Sequence, residues 1–486
     1  MKKIFKLKFF LLITMFIITS CQDDFVDREA VYSIDSENYF NNESDYYNAL
    51  IGAYDLLHAS YVNVMLGEIA SDNTLCGGGG ATDVIGFQQI DDMIHTSVNS
   101  NLKDVWNWMF AGVNRANYLL EFQDKTDFEG RNIIIAEARF LRAYYNFELV
   151  KWFGGIPLKI DQRFNLGDET TIPRSPVSEV YSLIEQDLIF AVDNLSYTAP
   201  EVGRATKGAA QALLGKAYLY QDKFSLAANV LENLIQNGPY DLMPNYEDIF
   251  ENIGENGIES VFEVQYTDAQ GADFGCLQCS EGNVAVGFSG IRNYSGPLFD
   301  SGFSFNVPTQ ETYDAFEDGD IRRDIAILNI EAWANETGAT YGTGYEHTGF
   351  FNRKYLPRQG DLNTGDQNLT NPNNYRSIRF ADVLLMAAEA YNRGGINDGT
   401  AQTYLNKVRN RASLENITLT GNALTEAIYQ ERRVELVGEG HRFFDLVRTG
   451  RGSEIDGFTP NKNELFPIPI EEIEFSNGNW QQNPGY

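Results

Sequence analysis

The spacing of apolar positions predicts a mostly helical protein. Apolar residues recur at helical intervals over residues 46–57, 105–120 and 133–153, and recurrence every three to four residues is typical of an amphipathic helix. The third stretch runs into Gly154, Gly155 and Pro157, and glycine followed by proline stops a helix. We therefore predict a helical body that begins near residue 46.

A helical repeat is predicted at residues 208–241. Leu214, Gly215, Tyr218, Ala227 and Pro239 fall at the offsets of a tetratricopeptide unit, whose period is about 34 residues. A looser match covers residues 387–391 and is followed by a helical pattern over 401–411. Stacked units of this kind predict a curved helical scaffold.

Helical periodicity fades over residues 252–375, where Gly, Asn, Thr and aromatic residues dominate. A long irregular region inside a compact protein is usually functional or disordered, and the aromatic content argues against disorder. We predict a loop-rich insert that carries short strands. A second loop, called the glycine loop below, is predicted at the four glycines of residues 77–80. The sequence there has neither the lysine nor the following Ser/Thr that a phosphate-binding loop needs.

The run 431–448, called the signature segment below, is dense in charge of both signs. Its apolar positions outline two short amphipathic helices, separated by Gly438 and Gly440. Spaced opposite charges on a helix usually form a solvated face with weak ion pairs. We favour that interpretation over a catalytic one, and a structural role for His441.

The N-terminus predicts export. Residues 1–20 combine four lysines with a short apolar run at 9–18, which is too short to span a bilayer and typical of a signal peptide. Residues 17–21 look like a lipobox, so Cys21 is predicted to be acylated and to anchor the chain. An ordinary secretory signal beside a chance cysteine is the alternative.

Composition narrows the functional classes. The net charge of −31 argues against a nucleic-acid partner, whose phosphates it would repel. The four histidines show no metal-ligand spacing and no Gly-x-Ser-x-Gly elbow occurs, so we predict no catalytic residue, metal or cofactor. For Cys76, Cys276 and Cys279 we favour a disulfide, either within the pair 276–279 or between Cys76 and one of them.

Several of these features together resemble the SusD/RagB family of outer-membrane nutrient-binding lipoproteins. The resemblance rests on the lipobox, the Trp-Phe-Gly-Gly-Ile-Pro run at 152–157, the repeat helices, the signature segment, and residues 465–473 and 482–486. It implies one SusD-like domain over 21–486, mostly α-helical with a tetratricopeptide-type scaffold. We divide it into an N-terminal helical scaffold (21–251), a ligand-binding insert (252–375) and C-terminal helices with the signature (376–486).

The same resemblance implies a function. A SusD-like protein binds an oligo- or polysaccharide and delivers it to a SusC-like TonB-dependent transporter, acting as the transporter's lid without cleaving the glycan. Such a protein sits in the outer membrane through its lipid anchor, exposed at the cell surface. A peptide-binding RagB-like uptake protein and a surface glycosidase are the alternatives.

Carbohydrate recognition needs flat aromatic faces and hydrogen-bonding side chains, and the family binds glycan on loops that project from the scaffold. The predicted ligand-binding residues, taken from the glycine loop and the insert, are Asp72, Asn73, Arg292, Tyr294, Phe303 and Trp333. A disulfide from Cys76 to Cys276 or Cys279 would fasten these two regions together.

Overall fold

The computed structural model describes residues 38–269, 274–361 and 369–486. The predicted signal peptide and Cys21 lie outside these residues. Across the described ranges, no helix is both long enough and apolar enough to cross a membrane.

Helices dominate the described residues, as predicted. In chain order they are α1 (Glu43–Asp55), α2 (Tyr61–Ile69), α3 (Ile85–Asp91), α4 (Ser100–Glu121), α5 (Arg131–Phe153), α6 (Val177–Asn194), α7 (Lys207–Leu219), α8 (Phe224–Asn237), α9 (Val284–Ser289), α10 (Gln310–Asp314), α11 (Arg323–Ala326), α12 (Ile330–Thr337), α13 (Phe380–Arg393), α14 (Asp398–Arg411), α15 (Gly421–Glu435), α16 (Arg442–Arg448) and α17 (Ile470–Phe475).

Local sequence sets the ends of the long helices. The Asn99 side chain accepts hydrogen bonds from the backbone N–H groups of Asn101 and Leu102, both at 3.1 Å, and so caps the start of α4. Helix α5 ends at Phe153 and is followed by Gly154, whose φ of 71° suits glycine. A Cβ there would also lie 2.7 Å from Leu465, so this glycine admits the C-terminal tail.

The long helices pack side by side in the order α4, α5, α6, α7, α8, α13 and α14. Helices α7 and α8 form the predicted repeat at 208–241, and Gly215 brings them close because any Cβ there would lie 2.4 Å from Leu231. The looser match is also helical, as α13 and α14, and α13 packs directly on α8. The insert therefore interrupts a helical stack that is continuous in space.

The described residues contain three antiparallel pairs of short strands: one ties the insert to the N-terminal scaffold, one joins the ends of the insert and one lies within it. They are β1 (Thr74–Gly77) with β3 (Phe305–Pro308), β2 (Ser260–Val264) with β6 (Tyr375–Arg379), and β4 (Ile327–Asn329) with β5 (Phe350–Asn352). The pair β2–β6 joins the two ends of the insert. Short strands in the insert were predicted, but β1 was not. The division at 251/252 and 375/376 stays a prediction.

The cysteines follow one of the two predicted pairings. Cys276 and Cys279 form a disulfide, and Cys76 is a free, buried thiol in β1. The alternative in which Cys76 is bonded to the insert is wrong, because Cys276 and Cys279 are bonded to each other. Backbone pairing of β1 with β3 joins the two regions instead.

Candidate functional site

The signature segment is buried, and its carboxylates form ion pairs with distant parts of the chain. Arg322 of the insert is fully buried, with its Nη1 2.6 Å from Glu431 and 2.9 Å from Glu435. Arg379 of β6 contacts Glu435 at 2.9 Å and Glu439 at 2.7 Å. The prediction of a solvated helix face is therefore wrong, because these charges find their partners inside the protein.

Glu435 is the centre of this network. Burial alone would raise the pKa of its carboxyl, but Arg411, Arg379 and Arg322 outweigh burial and hold that pKa well below its usual value. A buried carboxylate shared by three guanidinium groups binds α15 to β6, α14 and the insert at once.

Asp72 and Asn73, two of the predicted ligand-binding residues, contact the signature segment. Arg442 Nε and Nη2 each lie 2.7 Å from an oxygen of Asp72, a bidentate pair. Arg433 donates to Asn73 Oδ1 at 2.9 Å. Burial would raise the pKa of Asp72, but the two arginines hold it below its usual value. The Asp72 carboxylate and the Asn73 amide oxygen are occupied by protein partners, so these groups support the backbone that leads into the glycine loop.

The turn between α15 and α16 packs on helix α2. Gly438 and Gly440 both have positive φ, 79° and 84°, and a Cβ on Gly440 would lie 2.7 Å from Val64. The Gly440 N–H donates to the buried carboxylate of Glu68 at 2.8 Å, and burial raises the pKa of Glu68 to about 7. The predicted glycine break is confirmed, and it lets the signature segment approach α2.

Beyond β1, the glycine loop is held against the insert by backbone hydrogen bonds. Gly78 donates to the Ser304 carbonyl at 2.7 Å, and its own carbonyl accepts from the Tyr345 N–H at 2.8 Å. The Gly79 N–H donates to Asp83 at 2.7 Å. The two regions that were predicted to share a site therefore meet, although they are more than 200 residues apart in sequence.

Arg292 and Phe303, two further predicted residues, lie where the loop meets the insert. The Arg292 guanidinium donates to the Phe303 carbonyl at 2.8 Å and lies 3.5 Å from Asp83. A Cβ on Gly79 would lie 3.1 Å from Arg292 Nη2, so glycine at that position admits the guanidinium against the loop. The Arg292 side chain remains 29% exposed.

Tyr294 and Trp333, the last two predicted residues, contact each other within a small core of the insert. Trp333 Nε1 donates to Tyr294 Oη at 2.8 Å, and that hydroxyl donates to the Pro297 carbonyl at 2.7 Å. Tyr294 is buried, whereas Trp333 is half-buried against Phe299, with ring centroids 5.5 Å apart. These rings stabilise the insert, and only Trp333 reaches its surface.

Aromatic side chains that reach solvent lie beside the glycine loop. Tyr345 is 38% exposed, and the half-buried ring of Tyr341 lies 5.7 Å from His347. Phe274 is 56% exposed and packs edge-on against Phe303 at 5.8 Å. We call this surface the loop–insert face: Gly78, Gly79, Asp83, Arg292, Phe303, Tyr341, Tyr345 and Glu346.

Carboxylates surround the base of the loop–insert face. Asp91 accepts the Cys76 N–H at 2.8 Å, and burial raises the pKa of Asp91 to about 8, with smaller contributions from Glu346 and Asp92. Burial, and then Asp92, also raises the pKa of Glu346. This side of the molecule disfavours further negative charge.

Tyr341, Tyr345 and Glu346 were not among the six predicted residues. The signal was present, since two tyrosines flank Gly-Thr-Gly at 341–345 and glycines leave neighbouring rings uncovered. Which aromatic residues are covered depends on packing over the insert, so the choice among them needed coordinates. The six-residue ligand-binding assignment stays a prediction.

One group of side chains among the described residues has the spacing of a metal site, namely Asp55, His58 and Glu281. Asp55 is already paired with Arg115, and His58 Nδ1 lies 3.2 Å from Glu281. These side chains are satisfied by one another and by Arg115, so we assign no metal to them.

Family models match both ends of the chain. The model described as "SusD family" matches residues 327–486, and the model described as "Starch-binding associating with outer membrane" matches residues 24–219. A solved structure titled "Laminarin binding SusD-like protein" has a TM-score of 0.85 and 34% identity, covering 92% of this chain and 100% of that one. The chain belongs to the SusD/RagB family.

Other proteins are similar to this SusD/RagB family member over nearly its whole length. "SusD-like protein P2" of Formosa agariphila is 26% identical and covers 99% of this chain and 100% of its own length. "Surface glycan-binding protein A" of Bacteroides thetaiotaomicron, solved in complex with laminarihexaose, has a TM-score of 0.81 and 28% identity, covering 91% of this chain and 99% of that one.

Proposed function

We propose that this protein binds a neutral polysaccharide at the loop–insert face and does not cleave it. The observation that carries the proposal is the partly exposed ring of Tyr345, whose backbone N–H donates to the Gly78 carbonyl and so holds the ring beside the hydrogen-bonding groups of the glycine loop. The negative face of an aromatic ring attracts the C–H groups of a sugar ring. A few placed polar groups then fix the sugar's orientation.

The charges of the face favour an uncharged ligand. Arg292 already donates to the Phe303 carbonyl and lies near Asp83, while Asp91 and Glu346 have raised pKa values. A sulfate or carboxylate group on a polysaccharide would bring a further negative charge to a place where burial and neighbouring acids already disfavour ionised carboxyl groups. The relative titled as laminarin-binding, and the one solved with laminarihexaose, support a laminarin-type glucan as the ligand.

The biological setting follows the family. In this proposal Cys21 is acylated, and the protein sits in the outer membrane, exposed at the cell surface. It passes its glycan to a SusC-like TonB-dependent transporter and acts as the transporter's lid. The family model described as "associating with outer membrane" supports this location, and the similar solved structures are titled as binding proteins rather than enzymes.

A ligand panel tests the proposal against its two rivals. The purified protein is incubated with laminarin, starch, a sulfated polysaccharide, a uronate polysaccharide and a peptide mixture, and binding and product size are both measured. We expect binding of laminarin without shortening, and little binding of the anionic polymers. Shortened products would favour a glycosidase, and peptide binding without glycan binding would favour a RagB-like peptide carrier.

A further inference from the structure

A second concave site lies between the helical scaffold and the C-terminal tail. It is a cleft of about 380 Å³ whose walls come from α4, from residues 157–172 that follow α5, and from Glu472 and Trp480. We call it the aromatic cleft. Its volume falls at the lower end of the range for small-molecule sites, about 300–1,000 Å³. None of its lining residues belongs to the loop–insert face.

Four aromatic side chains form the apolar part of the cleft. Trp106 lies 4.6 Å from Phe110 and 6.0 Å from Trp480 between ring centroids, and Phe110 meets Phe164 edge-on at 5.9 Å. The indole N–H of Trp480 donates to the Ile172 carbonyl at 2.8 Å. This hydrogen bond fixes the Trp480 ring in the wall of the cleft. Both tryptophans are largely buried, whereas Phe110 and Phe164 are half-buried.

The rim of the cleft is polar and acidic. Asn107 is exposed, and no hydrogen bond is found for its side-chain amide within the part of the chain that the structure describes. Asp168, Glu169 and Glu472 supply carboxylates. Of the cations near the rim, Lys159 is paired with Asp168 and Lys103 with Glu471. Burial raises the pKa of Glu472. Such a rim offers acceptors to hydroxyl groups and disfavours an anion.

We propose that the aromatic cleft is a second carbohydrate-binding site, which takes one or two rings of a neutral glycan. The inference rests on the proposed function, since it assigns the same ligand class to a separate place. Phe110 and Phe164 would contact the sugar's C–H faces, and Asn107 with the rim carboxylates would bind its hydroxyls. A long polysaccharide could then engage both sites, which raises its avidity over that of a short oligosaccharide.

The test compares Phe164→Ala with Phe475→Ala by calorimetric titration with laminarihexaose. Phe164 lines the cleft on a loop, whereas Phe475 is 63% exposed on α17 and does not line it. We expect two sites in the wild type and in Phe475→Ala. In Phe164→Ala the cleft should lose about 5- to 10-fold in affinity, since a ring contact contributes roughly 1 kcal/mol.

Asn107→Ala is a second cleft variant that leaves the fold untouched, because its side chain is exposed at the rim. We expect it to weaken the same site while the loop–insert face still binds. If both cleft variants kept two sites with the affinities of the wild type, the inference would be overturned. A single site in the wild type that neither variant affects would overturn it as well, and both outcomes would leave the proposed function standing. No glycan binding by the wild type would overturn both.

Discussion

At the scale of single residues, buried carboxylates determine how the signature segment works. Glu435 satisfies Arg322, Arg379 and Arg411 from inside the protein. A charge in that position is tolerated only while its partners remain, because an unpaired buried ion is costly. In the sequence, the many charges of the signature segment are typical of a solvated surface. In the fold, the same charges are buried and hold distant elements together.

Replacing Glu435 tests this role. Glu435→Gln keeps the side chain's size but removes the buried negative charge that Arg322, Arg379 and Arg411 share, so we expect the free energy of unfolding to fall by about 3–5 kcal/mol. Glu454→Gln is the matched control, because the Glu454 carboxylate is 41% exposed and pairs with Arg451. The control should cost at most about 1 kcal/mol. Equal losses in urea denaturation would contradict the network's importance.

Asp91 should make stability depend on pH. Its pKa in the fold is about 8, above the ordinary value near 3.9, so the native state holds the proton more tightly than the unfolded chain. Stability contributed by the neutral carboxyl is therefore lost as pH rises from about 4 to about 8. Asp91→Asn mimics the neutral form and can still accept the Cys76 N–H.

The measurement is the difference in free energy of unfolding between the wild type and Asp91→Asn at several pH values. We expect the wild type to weaken relative to the variant by about 1–3 kcal/mol between pH 5 and pH 8. Parallel pH profiles would show that Asp91 is ionised in the fold at neutral pH. Comparing the two proteins removes the contribution of Glu68, whose pKa is also raised.

At the scale of elements, the sequence predicts what is local and misses what is distant. The helices of the scaffold were predictable because each carries its own periodicity, as α5 and the pair α7–α8 do. Strand β1 was not, since it is four residues long and pairs with β3 across more than 200 residues. The burial of the signature segment was missed for the same reason: Arg322 and Arg379 come from elsewhere in the chain.

Two glycines of one loop test the importance of β1. Gly77 has a φ of 74°, and a Cβ there would lie 2.3 Å from the Ser304 carbonyl oxygen, whereas Gly80 faces open space. We expect Gly77→Ala to disturb the β1–β3 pairing, destabilise the protein by more than about 1 kcal/mol and weaken glycan binding. Gly80→Ala should leave both unchanged, within about 0.5 kcal/mol.

Thermal unfolding and glycan titration of the two glycine variants provide the measurements. If Gly77→Ala binds glycan as tightly as Gly80→Ala does, the backbone of the loop does not position the site. Loss of binding in Gly80→Ala alone would indicate that the glycan binds at the tip of the loop.

At the scale of the whole molecule, the protein carries a net charge of −31, whereas the proposed ligand is uncharged. Long-range steering of a neutral glycan is absent, so its affinity should not follow ionic strength. We expect the dissociation constant for laminarin to change less than about two-fold between 50 mM and 500 mM salt, measured by calorimetry. A steep rise in that constant with salt would show that charged groups contribute to laminarin binding, which would contradict recognition through aromatic rings and neutral hydrogen bonds.

The proposed site lies in the two regions to which the family resemblance pointed, the glycine loop and the insert, and its location stays a prediction. The individual residues were harder to predict. Arg292 and Phe303 lie on the loop–insert face, whereas Asp72 and Tyr294 are occupied by protein partners. Whether a polar or aromatic side chain faces solvent or supports a loop is decided by tertiary packing, which one sequence does not contain.

The most direct test of the account is calorimetric titration of laminarihexaose into the wild type, Tyr345→Phe and Tyr345→Ala. Tyr345→Phe keeps the ring, whereas Tyr345→Ala removes it from a position that is 38% exposed. We predict near-wild-type affinity for Tyr345→Phe and about 5- to 10-fold weaker binding at the loop–insert face for Tyr345→Ala, with thermal stability unchanged. Binding by Tyr345→Ala that equals that of the wild type would contradict a glycan site at the loop–insert face.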